Sequence, residues 1–202
     1  MNEPVDQTTH EKIVSAAAEV FAEQGYDAAS VREITTRAEV NLGAITYHFG
    51  GKRELFSAVL ERKVAPLRAM LREVADSEMS AREKLREIAL RGNLYILHHD
   101  PSMKVFFVEC IQGGMRLPET AVTTITERNR IVSGIIQSGI DCGEFRPCDV
   151  ESATWIFFGL LMPYVIHEPL AKPGGQRGPY DEKFVRDIVD TAMDLFLKGL
   201  EQ

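Results

Sequence analysis

The sequence of 202 residues predicts an all-α protein, and two features support this fold class. Apolar side chains recur at positions i, i+3, i+4 and i+7 in successive segments, which is the spacing of one buried helix face. From Ser80 onward there is little of the β-branched alternation that is typical of strands, so we expect no sheet. Glycine, proline and capping residues divide the chain into about nine helices.

The first predicted helix begins at Thr8 or Thr9, because a threonine hydroxyl can cap a helix. Gly25 is expected to end it, since glycine suits the left-handed position that follows a helix. The apolar stripe between them consists of Ile13, Ala16, Ala17, Val20 and Phe21. Residues 1–8 are polar, include a proline and lack periodicity, so we expect them to form a disordered arm.

Residues 30–49 predict two short helices joined by a tight turn. Ser30 and Glu33 have the spacing of a capping box at the first helix, and Asn41 is suited to cap the second, from Leu42 to Phe49. Two helices joined by a turn of about three residues are the geometry of a helix-turn-helix, whose second helix enters the major groove of DNA. Helical hairpins that bind nothing share this spacing, so the spacing alone leaves both interpretations open.

The composition of the second helix and its surroundings favours DNA binding. Small residues at its start would allow close approach of the backbone to a partner. Lys52, at the start of the next helix, places a cation beside free backbone amides, which suits a phosphate. Tyr47, His48 and Phe49 with Lys52 three residues later resemble the end of the signature of the TetR family of transcriptional repressors.

The resemblance extends over residues 9–67 and implies a three-helix DNA-binding head. It implies that Arg32 reaches a base or a phosphate and that Tyr47, His48 and Lys52 contact the DNA backbone. The residues implied to face base edges are Leu42, Gly43, Ala44 and Thr46. The implied DNA-binding set is Arg32, Asn41, Leu42, Gly43, Ala44, Thr46, Tyr47, His48 and Lys52. Thr46 stands where the family often has a tyrosine, which bears on the base contacts and not on the docking.

The net charge of −7 is unusual for a DNA-binding protein, because counterion release from phosphates favours basic domains. Residues 1–63 are acidic as well, with seven cations against ten anions. Between Ser30 and Arg53, however, four cations face two glutamates. The sequence therefore predicts a local positive field, weak non-specific binding and a modest dependence of affinity on salt.

The helix after the motif contains Pro66, which is expected to bend or split it because an interior proline loses a hydrogen bond. Later helix starts are marked by Ser80 with Glu83, by Asp149 and, for the last helix, by about Asp181. We assign residues 68–202 to a larger C-terminal domain for effector binding and dimerisation.

The segment from Trp155 to Ile166 is so apolar that it must be buried on nearly all sides, in the core or partly against a second subunit. The TetR resemblance implies a four-helix bundle formed by the last two long helices with those of a partner. A two-fold dimer places two recognition helices one helical turn apart on DNA. We therefore expect a homodimer on a palindromic, double-stranded operator.

The resemblance also implies a small-molecule effector site within the C-terminal helices. Large, adaptable side chains there predict a largely apolar ligand, although each of them also fits an ordinary core position. The candidate lining residues are Tyr95, Met103, Phe106, Phe107, Met115, Trp155, Phe158 and Met162.

Metal-ligand residue types occur at His98, His99, Asp100, Glu109, Cys110, His167 and Glu168. Adjacent histidines on a helix point about 100° apart and do not easily chelate one ion, so we predict neither a metal nor a cofactor. One of the two adjacent histidines is expected to cap its helix instead. The three cysteines include no CxxC pair and fit a reduced, intracellular setting, with an oxidation-sensing role for Cys142 and Cys148 left open.

Motifs of enzymes are missing from the sequence, including a glycine-rich phosphate loop, GxSxG and HExxH. The N-terminus has no basic and apolar leader, and no stretch reaches about 18 apolar residues, so we expect a cytoplasmic protein that does not enter a membrane. The predicted function is that of a ligand-responsive transcriptional regulator, a repressor released from DNA by its effector. The alternative is a helical protein-interaction adaptor without DNA binding.

Overall fold

The computed structural model describes residues 8–98, 102–111, 113–161 and 181–201, which form nine helices and no strand. The helices are α1 (Thr9–Ala28), α2 (Val31–Arg37), α3 (Gly43–Phe49), α4 (Lys52–Ala75), α5 (Ala81–His98), α6 (Ser102–Ile111), α7 (Glu119–Asp141), α8 (Val150–Leu161) and α9 (Glu182–Leu200). The predicted all-α class is confirmed. Within the described ranges, no helix is both long enough and apolar enough to cross a lipid bilayer. The predicted disordered arm, apart from Thr8, lies outside these ranges.

The chain divides into two compact units. The first comprises Met1–Ala65 together with His99–Thr123, and the second comprises Pro66–His98 together with Thr124–Gln202. The junction at Pro66 lies beside the predicted domain boundary, but residues 99–123 accompany the helix-turn-helix. The functional division into a DNA-binding domain and an effector domain stays a prediction.

In the first unit, α1 packs against α2 and α6. All five residues of the predicted α1 stripe are buried, and Phe56 of α4 meets Phe21 edge-on with ring centroids 5.0 Å apart. The regular backbone of α1 is interrupted at Gly25, as its sequence position predicted, by a φ of +78°. A further helical turn follows this kink, so α1 extends to Ala28. The ring of Tyr26 stacks on Phe21 and lies 4.8 Å from Phe56, so these contacts hold the last turn of α1 on the core.

Side-chain caps fix several predicted helix starts. Thr8 and Glu11 form a reciprocal capping box at α1, in which the Glu11 carboxylate accepts from the Thr8 amide at 2.9 Å. This hydrogen bond lowers the pKa of the Glu11 carboxyl. Ser80 and Glu83 form the same reciprocal pair before α5, and Asp149 accepts from the first turn of α8. The polar spacing in the sequence therefore located these three starts correctly.

Pro66 does not split α4, which runs unbroken from Lys52 to Ala75. An interior proline costs about 3 kcal/mol, whereas burying one leucine or valine side chain contributes about 1.5–3 kcal/mol. The buried α4 side chains include Leu55, Phe56, Val59, Leu60, Val64, Met70, Leu71 and Val74. Burial along both halves of α4 therefore outweighs the loss at the proline.

In the second unit, α9 packs against α5 and α8. The connection between α7 and α8 fixes two helix ends of this unit. The Glu144 carboxylate accepts hydrogen bonds from the first two amides of α5, both at 3.0 Å, and Arg146 donates to the last two carbonyl groups of α9, both at 2.8 Å. An anion at a helix N-terminus and a cation at a C-terminus suit the helix dipoles. Phe145 between them is completely buried, so this connection belongs to the core.

Candidate nucleic-acid interface

The predicted helix-turn-helix consists of α2, a short turn and α3. Ile34 and Thr35 of α2 and Ala44 and Ile45 of α3 are buried, which fixes the two helices against the core of the first unit. Glu39 in the turn has a φ of +55°, and it is the one non-glycine residue with a positive φ among the described residues. The left-handed conformation reverses the chain between the two helices within three residues. A carboxylate therefore lies in the turn where glycine would adopt the backbone without strain.

Replacing Glu39 with glycine is expected to raise the free energy of unfolding by about 0.5–1 kcal/mol, because relief of left-handed strain exceeds the added chain entropy of glycine. DNA affinity should rise as well, since a carboxylate beside the recognition helix is lost. Glu39→Gln keeps the strain and removes the charge, so it should raise affinity without raising stability. Urea unfolding and duplex titration separate the two effects. A Glu39→Gly protein less stable than the parent would contradict the strain argument.

The prediction that the Asn41 side chain caps the recognition helix is wrong. The N-cap of α3 is Leu42, which forms no side-chain capping bond, and the Asn41 backbone carbonyl accepts from the Ala44 amide at 3.0 Å. The first turn of α3 therefore has amides that no side chain caps. The Asn41 side chain is exposed and free of a capping role, so it stays a candidate contact to DNA.

A groove of about 660 Å³ runs between the start of α1 and the recognition helix. Its lining residues are Thr9, Glu39, Val40, Asn41, Gly43, Ala44, Tyr47 and His48. Tyr47 is 85% exposed, whereas Ala44 is 8% exposed and offers only an edge of its methyl group to the groove. Thr9 was not predicted to lie here, because nothing in the local sequence pattern relates the start of α1 to the recognition helix.

The aromatic residues at the end of α3 divide into an exposed pair and an anchor. The rings of Tyr47 and His48 meet edge to face, with centroids 5.0 Å apart, and both residues are exposed. Phe49 is half-buried, and its ring lies 4.6 Å from the ring of His10 on α1. Phe49 thus ties the end of the recognition helix to α1 while the polar ends of its two neighbours face outward.

The local positive field is smaller than the charge count predicted, because Arg37 is bound by acidic residues. Its guanidinium donates to both carboxylate oxygens of Glu23 at 2.8 and 2.9 Å and also lies within 4 Å of Glu19 and Glu33. The hydrogen bond from Arg37 lowers the pKa of the Glu23 carboxyl. Arg37 therefore fastens α2 to α1 and is not available to a phosphate.

The remaining cations of the motif are placed differently. Arg32 is exposed, as its predicted DNA contact requires. Arg53 is also exposed, and no carboxylate in the described part of the chain forms an ion pair with either arginine. Arg53 had been counted in the charge of the motif without being assigned a contact. Lys52 is half-buried, with its ammonium 4.6 Å from the centre of the Tyr26 ring and donating to the Asp27 carbonyl at 3.3 Å.

The predicted effector residues are dispersed. Tyr95 and Phe158 are half-buried in the second unit. In the first unit, Phe106 is buried and Phe107 is half-buried. Met115 and Trp155 are exposed. Met162, the Met103 side chain and the residues His99, Asp100, His167 and Glu168 lie outside the description. An effector pocket stays a prediction, and Met115 and Trp155 lie on the surface of their units.

A second helix with an exposed polar face, packed with the preceding helix on the core and followed by cations, is typical of a helix-turn-helix DNA-binding protein. Residues 13–59 match the family described as bacterial regulatory proteins, tetR family. The chain is 26% identical over 152 residues to the fatty acid metabolism regulator protein of Bacillus subtilis. This alignment covers 74% of this chain and 78% of that protein. It is 28% identical over 158 residues to the transcriptional repressor KstR2 of Mycobacterium tuberculosis, with 72% and 77% covered.

The fold agrees with these sequence relationships. The solved structure of the ketosteroid transcriptional regulator KstR2 of Mycobacterium tuberculosis matches with a TM-score of 0.77 at 22% identity, over 97% of this chain and 96% of that one. The chain belongs to the tetR family of bacterial regulatory proteins. It is a ligand-responsive DNA-binding transcriptional regulator, and the adaptor alternative is not supported. Its relatives are regulators of transcription and not enzymes.

Proposed function

We propose that the protein is a homodimeric repressor that binds a palindromic operator in bacterial DNA and is released by a small, largely apolar effector. The observation that carries the DNA-binding half of this proposal is the exposed polar face of α3, with Tyr47 and His48 beside exposed arginines. Because its proposed target is bacterial DNA, the protein would act in the cytoplasm. The division into a DNA-binding domain at residues 9–67 and an effector and dimerisation domain at residues 68–202 belongs to the same proposal.

Exposed apolar side chains on α8 and α9 support the dimer. One face of α8 is buried in its own unit through Ala153, Phe157 and Leu161. Trp155, 63% exposed, lies on the opposite side of α8, and Ile156 and Leu160 beside the buried face are exposed as well. Leu195 of α9, which packs beside α8, is 64% exposed. Several large exposed apolar side chains on two packed helices are typical of a protein interface. An identical subunit related by a two-fold axis would cover both helices and pair two heads for a palindrome.

On DNA, the recognition helix enters the major groove and its residues divide into two roles. Leu42, Gly43, Thr46 and the exposed edge of Ala44 face base edges, which carry the sequence information. Arg32, Asn41, Tyr47, His48 and Lys52 fix the helix through phosphates or sugars. We add Arg53 to the second group, because it is exposed one residue after Lys52 and is not paired with a carboxylate of the described chain. The bound heads lie about 34–36 Å apart.

The effector acts by shifting the population between two states of the dimer. DNA favours one separation of the heads, and the effector favours another. The effector can therefore release DNA only by as much as its own affinity differs between the two states. The relatives are named for fatty acid metabolism and for ketosteroids, both apolar classes of compound, which supports a largely apolar effector.

The operator can be found by selection from random duplexes, and the same experiment tests the division of roles. Tyr47→Ala is expected to weaken binding to all sequences about equally, because it removes a backbone contact. Thr46→Ala should change the preferred sequence, since one good base contact is worth about 1–3 kcal/mol. The measurement is fluorescence anisotropy with the selected duplex and with single-base variants, over a series of salt concentrations.

Tyr47→Phe is the matched control, because it keeps the ring and removes only the hydroxyl group. A palindrome that the parent protein enriches, and that Tyr47→Ala binds more weakly without a change in sequence preference, would support a DNA-reading dimer. If Thr46→Ala kept the parent preference at every base, the assigned recognition face would be wrong. If the parent enriched no sequence even at low salt, the repressor proposal itself would fail.

A further inference from the structure

We propose that Arg116, in the connection between α6 and α7, is a positioning residue for DNA binding that fixes Lys52 beside the recognition helix. Arg116 is 89 residues from Asp27 in sequence and does not belong to the helix-turn-helix. The inference rests on the proposed DNA-binding function and assigns a further residue to it. All the groups involved lie within the first compact unit.

Arg116 joins two carboxylates that belong to different helices. One nitrogen of its guanidinium, Nη2, donates to both Asp27 oxygens at 3.1 and 2.9 Å, and the other, Nη1, donates to Glu109 Oε1 at 3.1 Å. Asp27 is in the last turn of α1, and Glu109 is in α6. The single guanidinium therefore links the end of α1 to α6.

Burial of Glu109 makes Arg116 a fixed anchor. Glu109 is 3% exposed, and a buried carboxylate is stable only when it is paired and hydrogen-bonded. The ion pair with Glu109 therefore holds the guanidinium in one place. The ring of Tyr26 adds a second restraint, because its centre lies 5.2 Å from the Arg116 guanidinium.

The end of α1 in turn holds Lys52. The Lys52 ammonium donates to the Asp27 carbonyl and lies over the ring of Tyr26, so it touches the two residues that Arg116 also touches. These two residues follow the kink at Gly25, where the regular helical backbone is interrupted. Arg116 therefore supplies a side-chain restraint at a point where α1 itself is irregular. An ammonium held in place before binding loses less entropy when it meets a phosphate.

The Lys52 ammonium donates one hydrogen bond, to the Asp27 carbonyl, and its nitrogen lies 4.6 Å from the centre of the Tyr26 ring. At least one of its hydrogens is left for a phosphate oxygen, because an ammonium group has three donors. Lys52 begins α4 two residues after the end of α3, so a phosphate bound there would belong to the backbone beside the recognition helix. The geometry therefore makes the phosphate contact of Lys52 dependent on Arg116, which lies outside the helix-turn-helix.

The test compares Arg116→Ala, Lys52→Ala and the double variant by anisotropy on the selected operator over a salt series. Each single variant is expected to bind about tenfold more weakly and to reduce the salt slope by about one, as for the loss of one phosphate contact. The double variant should bind no more weakly than Lys52→Ala, because Arg116 acts through Lys52. Thermal unfolding of each variant establishes that it is folded.

Arg91→Ala is the matched control. Arg91 forms a bidentate pair with Glu73 at 2.8 and 3.0 Å in the second unit, and its side chain is 36% exposed against 35% for Arg116. Arg91→Ala removes the same charge and a bidentate bond to an exposed carboxylate outside the first unit, so this variant should change neither affinity nor salt slope. If Arg116→Ala does not fold, Asp27→Ala replaces it in the test, because Asp27→Ala keeps the pair between Arg116 and Glu109. It should weaken binding although it removes a negative charge.

The inference would be overturned if Arg116→Ala and Asp27→Ala bound the operator with wild-type affinity. It would also be overturned if the loss of affinity in the double variant equalled the sum of the losses in Arg116→Ala and Lys52→Ala. An equal loss in Arg91→Ala would overturn it too, because the effect would then be one of charge or stability. These outcomes leave the proposed function intact when the parent protein binds its operator. Failure of the parent to bind any duplex would overturn both.

Discussion

Replacing Trp155 with aspartate should convert the dimer into a monomer and weaken operator binding by about a hundredfold or more. Trp155 is the largest exposed apolar residue of α8, and in the proposed dimer it is covered by the partner. An aspartate there would bury an unpaired carboxylate on both sides of the two-fold axis, because each subunit contributes one copy. A monomer presents one head, and it loses the gain of about 10²–10⁴ that linked binding sites provide.

Sedimentation equilibrium and operator titration measure the two effects on the same samples. Ile111→Asp is the control, because it places the same charge on an exposed apolar residue of α6 in the first unit. That variant should stay dimeric. Binding of single half-sites should be similar in the parent and in Trp155→Asp, because the head is unchanged. If Trp155→Asp stayed dimeric and bound the operator with the affinity of the parent, the subunit interface would not include Trp155 of α8.

The fold was predictable because its signals are local. The α1 stripe, the Ser80 and Glu83 capping pair and the Asp149 cap each lie within a few residues, and all three are present in the structure. The helix limits near Pro66 and Gly25 were less predictable, for a common reason: α4 is not split at Pro66, and α1 resumes after the kink at Gly25. At both positions an intrinsic tendency to end a helix competes with burial of neighbouring side chains, and that burial depends on residues from other helices.

The candidate site was predictable in its location and less so in its electrostatics. The exposed face of α3 follows from the helical period, but the pairing of each cation does not. Arg37 is bound by Glu23, which lies fourteen positions away, and Arg116 reaches Asp27 across 89 positions. The local charge count treated Arg37 and Lys52 as free cations. In the structure, Arg37 forms ion pairs with three glutamates, and Lys52 contacts Tyr26 and Asp27.

Two glycines of α7 should respond to alanine with opposite signs. A Cβ at Gly139 would lie 2.3 and 2.5 Å from ring carbons of Phe145 and 3.0 Å from the Cβ of Ala81. Phe145 is completely buried, and the bonds of Glu144 and Arg146 on either side fix its backbone, so the ring has little room to move. Gly139→Ala is expected to lower the free energy of unfolding by about 1–3 kcal/mol or more, the usual cost of overpacking a core.

Gly134 lies in the same helix, is exposed, and would have nothing within 4 Å of an added Cβ. Gly134→Ala should therefore raise the free energy of unfolding by about 0.5–1 kcal/mol, through the helix propensity of alanine. Urea unfolding at one fixed protein concentration measures both, since the stability of a dimer depends on concentration. The predicted difference between the variants reaches several kcal/mol for the same chemical change. Equal midpoints would mean that the Phe145 ring is not held rigidly against Gly139 and can move to admit a methyl group.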